Sequence, residues 1–249
     1  MLRVHSSFHK CLTMLFYRTM DDALNKYTLS FKKKYRHFES IEGLFYNLNK
    51  DYYINSINNF APDLLQFQED FRITRFVRDP RDLVVSGYFY HKRGAEPWFR
   101  FKNPTAKYWS DINGNVPLGM GRGQTYAEYL NSLSKEEGLK AEIEFRMHHL
   151  TSMLDWPEDN RIKLFRYEDI IDNQAGAFED IVSHYEIEGF TRKRILHFSK
   201  MYALENRRGD KHIRNSSTGQ WRAHFTPELN EYFLERYSDI LDRYNYSKN

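Results

Sequence analysis

The chain has 249 residues, with 37 Lys and Arg against 34 Asp and Glu, a net charge of +3. That length fits one large domain or two small ones, and it buries enough apolar surface to need no disulfide or metal staple. An aromatic share of 16% excludes a disordered chain, and the mildly basic balance excludes a nucleic-acid coat.

The sole cysteine, Cys11, excludes an intrachain disulfide, and no H-E-x-x-H or similar spacing suggests a metal site. Both features favour a reducing compartment. No run approaches the ~20 apolar residues of a membrane span, and MLRVHSSFHK does not read as a secretory leader. The expectation is a soluble cytoplasmic protein. Basic residues cluster at Lys32–Arg36, Arg192–Arg194 and Arg207–Arg214. The first two read as solvated faces; the third adjoins a candidate anion site.

In chain order, Leu2–Ser6 reads as a strand and Thr13–Asn25 as a helix. Strands follow at Tyr52–Ile57 and Arg72–Val77, each short and rich in β-branched or aromatic residues. A turn at Asp79–Pro80 leads into a helix over Leu83–His91. The stretch Trp98–Gln124 is rich in Gly, Pro, Asn and aromatics and has no period, which suggests a lid or substrate loop. Leu139, Ile143, Met147, Leu150 and Leu154 have helical spacing within Glu136–Leu154. Ile162–Arg166 is the last strand. Thr226–Pro227–Glu228 is an N-cap, a first-turn proline and a first-turn acid. Leu229, Phe233, Tyr237, Ile240 and Tyr244 then mark one packed face. Alternating strands and helices imply a mostly parallel central sheet flanked by helices in three layers. One α/β domain over residues 1–249 is expected.

Three segments carry phosphate chemistry. His5–Thr13 (HSSFHKCLT) lies between the first strand and the first helix, where free N–H groups attract anions. Lys10 adds a charge and Thr13 a hydroxyl. His5 and His9 flank the loop, whereas His91, His148 and His149 read as packing or surface. Arg78–Ser86 (RDPRDLVVS) follows a strand, and Arg78 falls at its carboxyl end, where ligands bind parallel sheets. Asp79 and Asp82 could equally cap the helix and pair with the arginines. Arg214–Arg222 (RNSSTGQWR) joins a basic residue to small polar residues and a glycine, a composition that also suits an ordinary loop.

Together and in this order, HKCLT, RDPRDLVVS and RNSSTGQWR resemble the motifs of the sulfotransferases that use 3′-phosphoadenosine 5′-phosphosulfate (PAPS). The resemblance covers roughly residues 2 to 226. It implies a P-loop nucleotide-hydrolase-like fold, with His9, Lys10, Cys11, Leu12, Thr13 and Met14 around the 5′-phosphosulfate. It implies Arg78 and Ser86 on the 3′-phosphate, Tyr167 of Tyr-Glu-Asp on adenine, and Arg214, Asn215 and Ser216 closing over the nucleotide. Leu12 stands where the family usually has Gly, Ser216 where it has the first Gly of the late motif, and Arg222 where it has Lys.

The implied reaction moves a sulfuryl group from PAPS to a hydroxyl or amine of a small-molecule or carbohydrate acceptor. It releases 3′-phosphoadenosine 5′-phosphate (PAP) and needs no metal. Lys10 would neutralise the departing oxygen. A base must accept a proton, and Ser56, which matches the family's strand-end His, is a poor one. Glu39 is the first candidate and His37 the second. A nucleotide-type kinase, or a nucleotide binder without catalysis, is the competing expectation. Neither nucleic acid nor membrane is an expected partner.

Overall fold

The computed structural model describes residues 1–26, 34–38, 43–44, 53–58, 70–95, 97–109, 114–203, 206 and 217–249. The elements in chain order are β1 (Leu2–Ser7), α1 (Thr13–Asp21), β2 (Tyr35–Phe38), β3 (Ile54–Asn58), β4 (Phe71–Val77) and α2 (Pro80–Lys92). Then come α3 (Ala106–Trp109), α4 (Tyr126–Ser132), α5 (Lys135–Phe145), α6 (Met147–Ser152) and β5 (Ile162–Arg166). The chain ends with α7 (Tyr167–Asp172), α8 (Gln174–His184), α9 (Gly189–Met201) and α10 (Pro227–Arg243). It divides into two compact units, residues 1–78 with 157–217, and residues 79–156 with 218–249.

The first unit holds a five-stranded, all-parallel sheet in the order β2-β3-β1-β4-β5, flanked by helices. β1 lies at the centre, pairing Ser7 with Asn58 of β3 and with Phe76 of β4. The chain therefore leaves β1 in one direction to build β3 and β2 and in the other to build β4 and β5. Ligands bind beyond the carboxyl ends of the strands at such a switch point. The strands supply a continuous apolar core, as a parallel sheet requires. Val4, Ile54, Ile57, Ile73 and Phe76 are buried beside Leu15, Phe16 and Met20 of α1, and Phe178, Ile181 and Val182 of α8.

The expected helix Thr13–Asn25 keeps α geometry only to Asp21; a π-helical turn follows over Asp22–Lys26. The buried carboxylate of Asp22 there takes the Tyr202 hydroxyl and pairs with Lys26. β3 lies two residues beyond the expected start, ending at Asn58 rather than Ile57.

The second unit is built on α2, whose Leu83, Val84, Val85 and Tyr88 are buried together with Leu139, Ile143 and Phe145 of α5 and Phe233 and Ile240 of α10. Part of residues 98–124 is ordered around this core. A 3₁₀ turn spans Pro97–Arg100, and Phe99 and Trp109 are buried. The expected helix Glu136–Leu154 is interrupted at Arg146, whose ψ of 8° leaves α geometry. The Arg146 side chain turns inward, and its Nε donates to Glu142 at 2.7 Å. Glu142 also accepts from His91 Nδ1 at 2.8 Å and from the Tyr126 hydroxyl at 3.0 Å. A fully buried carboxylate is tolerated only when paired and hydrogen-bonded in this way. His91 and His149 are thus packed residues as expected, and His148 is exposed.

Gly87 makes this cluster fit. A Cβ there would lie 2.1 Å from Glu142 Oε1 and 2.3 Å from an Arg146 terminal nitrogen. Gly87→Ala is therefore expected to lower stability by at least about 2–3 kcal/mol, through overpacking and a displaced ion pair. The urea midpoint of the variant measures this, and a shift within error of zero would contradict it.

Candidate active site

The loop after β1 turns through left-handed backbone at Lys10 (φ 75°) and Leu12 (φ 57°). Leu12 is the N-cap of α1, and no side chain caps that end. The Leu15 amide is taken by the Leu12 carbonyl at 2.9 Å, so the amides of Thr13 and Met14 are the ones this helix end offers to an external acceptor, with Lys10 shortly before them in the loop. Thr13 Oγ1 bonds Ser7 Oγ at 2.8 Å. The Cys11 amide donates to Phe8 at 2.9 Å, closing the turn, and the buried Cys11 thiol is pushed up in pKa by desolvation. Among the expected loop residues, Cys11 therefore offers its backbone rather than a thiolate. Met14 points outward and is 42% exposed.

The sequence departure at Leu12 now has a physical meaning. Glycine enters the left-handed region freely, whereas a Cβ costs about 1–2 kcal/mol there.

Arg78 and Tyr167 meet at the same carboxyl edge. Val77 of β4 pairs with Arg166 of β5, so the next residue on each strand is a site residue. The Arg78 guanidinium lies 4.0 Å from the Tyr167 ring centroid, and its terminal nitrogen donates to the Ser217 carbonyl at 3.4 Å. Both side chains are buried. A cation on the face of a ring presents its remaining N–H groups edgewise, a suitable setting for a phosphate next to a stacked base.

In the second unit, the rest of RDPRDLVVS opens α2. Asp79 caps the helix by accepting from the Arg81 amide at 2.9 Å, and it holds the Arg81 guanidinium through two further bonds of 3.1 and 2.8 Å. Arg81 is fully buried, 3.6 Å from the Trp221 ring centroid. Asp79 and Arg81 thus make the cap and ion pair that were the structural alternative for this motif. Asp82 accepts instead from the backbone of Gly219 at 2.8 Å and Trp221 at 2.9 Å. Gly219 has φ 69°, so the turn that brings these amides together uses its glycine. Asp82 was missed as an organiser of the late motif because its partners are backbone atoms 137 and 139 residues away. The Ser86 hydroxyl is half-buried and makes no hydrogen bond among the described residues.

Ser56 does not end its strand. It is buried two residues inside β3, bonded to the Tyr35 hydroxyl at 2.6 Å and to His37 Nδ1 at 2.9 Å. Asn58 occupies the strand end. His37 lies on β2, in register with Ser56. His5, buried in β1, accepts or donates at Nδ1 to Thr74 at 3.0 Å, and burial holds its pKa well down. It is a neutral core residue. Glu39, Arg214, Asn215 and Ser216 lie outside the described residues. Those residues include no group of three or more His, Cys, Asp or Glu that could hold a metal.

A family model described as the sulfotransferase domain matches residues 58–245. The chain belongs to the sulfotransferase-domain family. As a sulfotransferase it is a transferase, and the match includes the Arg78 motif, the Tyr167 strand end and the late loop. It begins after the loop that follows β1. Mouse sulfotransferase SULT7A1 complexed with PAP has a similar fold, at 14% identity and a TM-score of 0.57, covering 98% of this chain and 84% of its own. Retinol dehydratase in complex with androsterone and inactive cofactor PAP is similar at 15% identity and a TM-score of 0.51, with 97% and 82% covered. No curated protein matches the chain.

Leu12→Gly and Leu12→Ala remove the same packing, but only glycine relieves the left-handed φ. The glycine variant is expected to be more stable than the alanine variant by about 1 kcal/mol. Paired urea unfolding curves measure the difference, and equal midpoints would refute backbone strain at this position.

Proposed function

We propose that this sulfotransferase takes its sulfuryl group from PAPS, transfers it to a hydroxyl or amine of a small-molecule or carbohydrate acceptor, and releases PAP. One observation carries the reading: a single sheet edge presents an uncapped helix N-terminus after Lys10 and, at the ends of the next two strands, Arg78 laid on Tyr167. A nucleotide with two separated phosphates and a flat base has the matching chemistry.

PAPS supplies an activated sulfuryl group on a mixed anhydride. The acceptor oxygen or nitrogen forms a bond to sulfur as the bond from sulfur to the 5′-phosphate oxygen breaks. The acceptor's proton passes to the base, and the electron pair of the broken bond stays on the departing phosphate. Lys10 and the α1 amides stabilise that developing charge, as donors aimed at a leaving oxygen do in phosphoryl transfer. Arg78 holds the 3′-phosphate, with Ser86 the second residue read for that role, and Tyr167 supports adenine. Arg214, Asn215 and Ser216 complete the nucleotide contacts, and residues 98–124 are the lid or substrate loop.

Glu39 is the proposed base. It directly follows β2 in the sequence and lies outside the described residues. His37 is the second candidate, with its Nδ1 already engaged by Ser56. Among the described residues no helix is long and apolar enough to cross a membrane, and the single cysteine suits a reducing, cytoplasmic setting.

PAP at 100 times its dissociation constant stabilises a folded protein by about 2.7 kcal/mol, or roughly 5–10 °C in Tm for a chain of this size. That shift is expected here, mostly lost in Arg78→Ala and reduced in Ser86→Ala. No shift in the parent protein, or magnesium-dependent ATP turnover indifferent to PAP, would overturn the reading. Glu39→Gln is expected to lower kcat for labelled sulfate transfer about 10²–10⁴-fold while PAP binding persists. If His37→Gln has that effect and Glu39→Gln does not, the base is His37.

A further inference from the structure

We propose that Asn58 binds the sulfuryl group itself, as a neutral donor between the phosphate loop and the base. The inference rests on the nucleotide reading above and assigns a residue that the sequence motifs left out.

The first support is position. The sheet order is β2-β3-β1-β4-β5. The nucleotide groups, Arg78 and Tyr167, follow β4 and β5. The phosphate loop follows β1, and His37, the base candidate among the described residues, lies on β2. In the reaction, sulfur lies between the 5′-phosphate and the acceptor whose proton the base takes. Sulfur therefore passes over the strand between β1 and β2, which is β3. The last residue of β3 is Asn58, paired in register with Ser7, the last residue of β1.

The second support is orientation. Asn58 Oδ1 is 3.4 Å from Ser7 Oγ and 3.5 Å from Thr13 Oγ1. Those two hydroxyls bond each other at 2.8 Å. Each hydroxyl has one proton to give. One proton closes the bond between them, and the other is available to Oδ1. The loop hydroxyls thus accept no proton from the amide and fix its oxygen side. Both Nδ2 hydrogens are left without a partner among the described residues, on a side chain only partly exposed. Thr13 is also the first residue of α1, so the helix end that receives the phosphate and the amide share one hydroxyl.

The third support is chemistry. A carboxamide has two N–H donors and no site that takes a proton near neutral pH. It cannot serve as the base at this strand end. It can donate to a sulfuryl oxygen, whose charge is spread over three atoms, without adding a positive charge that would hold the group back.

PAP and PAPS separate this role from nucleotide binding, because only PAPS carries the sulfuryl group. Binding of each is measured by calorimetry without acceptor, for the parent, Asn58→Ala and Asn58→Asp. Loss of a hydrogen bond to a charged group is expected to weaken PAPS about tenfold in Asn58→Ala. The Asp variant, which adds a like charge, loses more. PAP affinity of Asn58→Ala stays within about twofold of the parent, which also shows that this variant folds. Turnover falls in both variants. Equal losses for PAP and PAPS would make Asn58 a loop-shaping residue and overturn the proposal, as would unchanged PAPS binding. A parent protein that binds PAP while the variants fail to discriminate leaves the nucleotide reading standing and removes this one. A parent that binds neither ligand removes both.

Discussion

β1 is hydrogen-bonded in parallel to β3 on one side and to β4 on the other, and the placement of the other site elements follows from that double pairing. A parallel strand with two parallel neighbours must end on the same edge as they do. The ends of β1, β3, β4 and β5 therefore fall on one rim, although they lie at residues 7, 58, 77 and 166 of the chain. Side-chain chemistry could not bring Lys10, Asn58, Arg78 and Tyr167 together without this frame. The apolar strand interiors fix the frame, since Val4, Ile54, Ile73 and Phe76 are buried at its centre. The functional edge is polar because the strands end there.

Much of this was legible from the sequence where the signal is local. The Thr226–Pro227 helix start is a true cap, with Thr226 accepting from the Leu229 amide. Arg78 falls just past its strand, as the RITRFV run suggested, and the left-handed φ explains why the family favours glycine at Leu12. The misreadings came from forces that a short window does not contain. One more residue of β3 is ordered by pairing with β1, so the strand end moved from Ile57 to Asn58 and Ser56 became an interior residue. The apolar period through Glu136–Leu154 continues across Arg146, but the backbone leaves α geometry at Arg146, next to a buried cluster around Glu142 that the period does not reveal. The pairing of Asp82 with Gly219 and Trp221 is a tertiary contact with no trace in spacing.

The motif RDPRD also shows how one short run divides its labour. Its first arginine lies on the Tyr167 ring just past the end of β4. Its second is sealed between Asp79 and Trp221 and has a structural task. The difference lies in burial and partners, since the residue type is the same. A reading by residue type alone would give both arginines to the ligand.

The two amides held by Asp82 bear on how a nucleotide would be captured. A loop that is ordered only when ligand arrives must surrender about 1–2 kcal/mol of backbone entropy per residue at that moment, and affinity is reduced accordingly. Here the stretch from Gly219 to Trp221 is already fastened to α2 by a carboxylate that does not touch the ligand in any proposed role. Much of the ordering cost for that stretch is met during folding. A late loop that closes over a nucleotide in the proposed way would then carry a smaller entropic penalty on binding, and slow exchange of the Gly219 and Trp221 amide hydrogens without ligand would be the physical signature of this fastening.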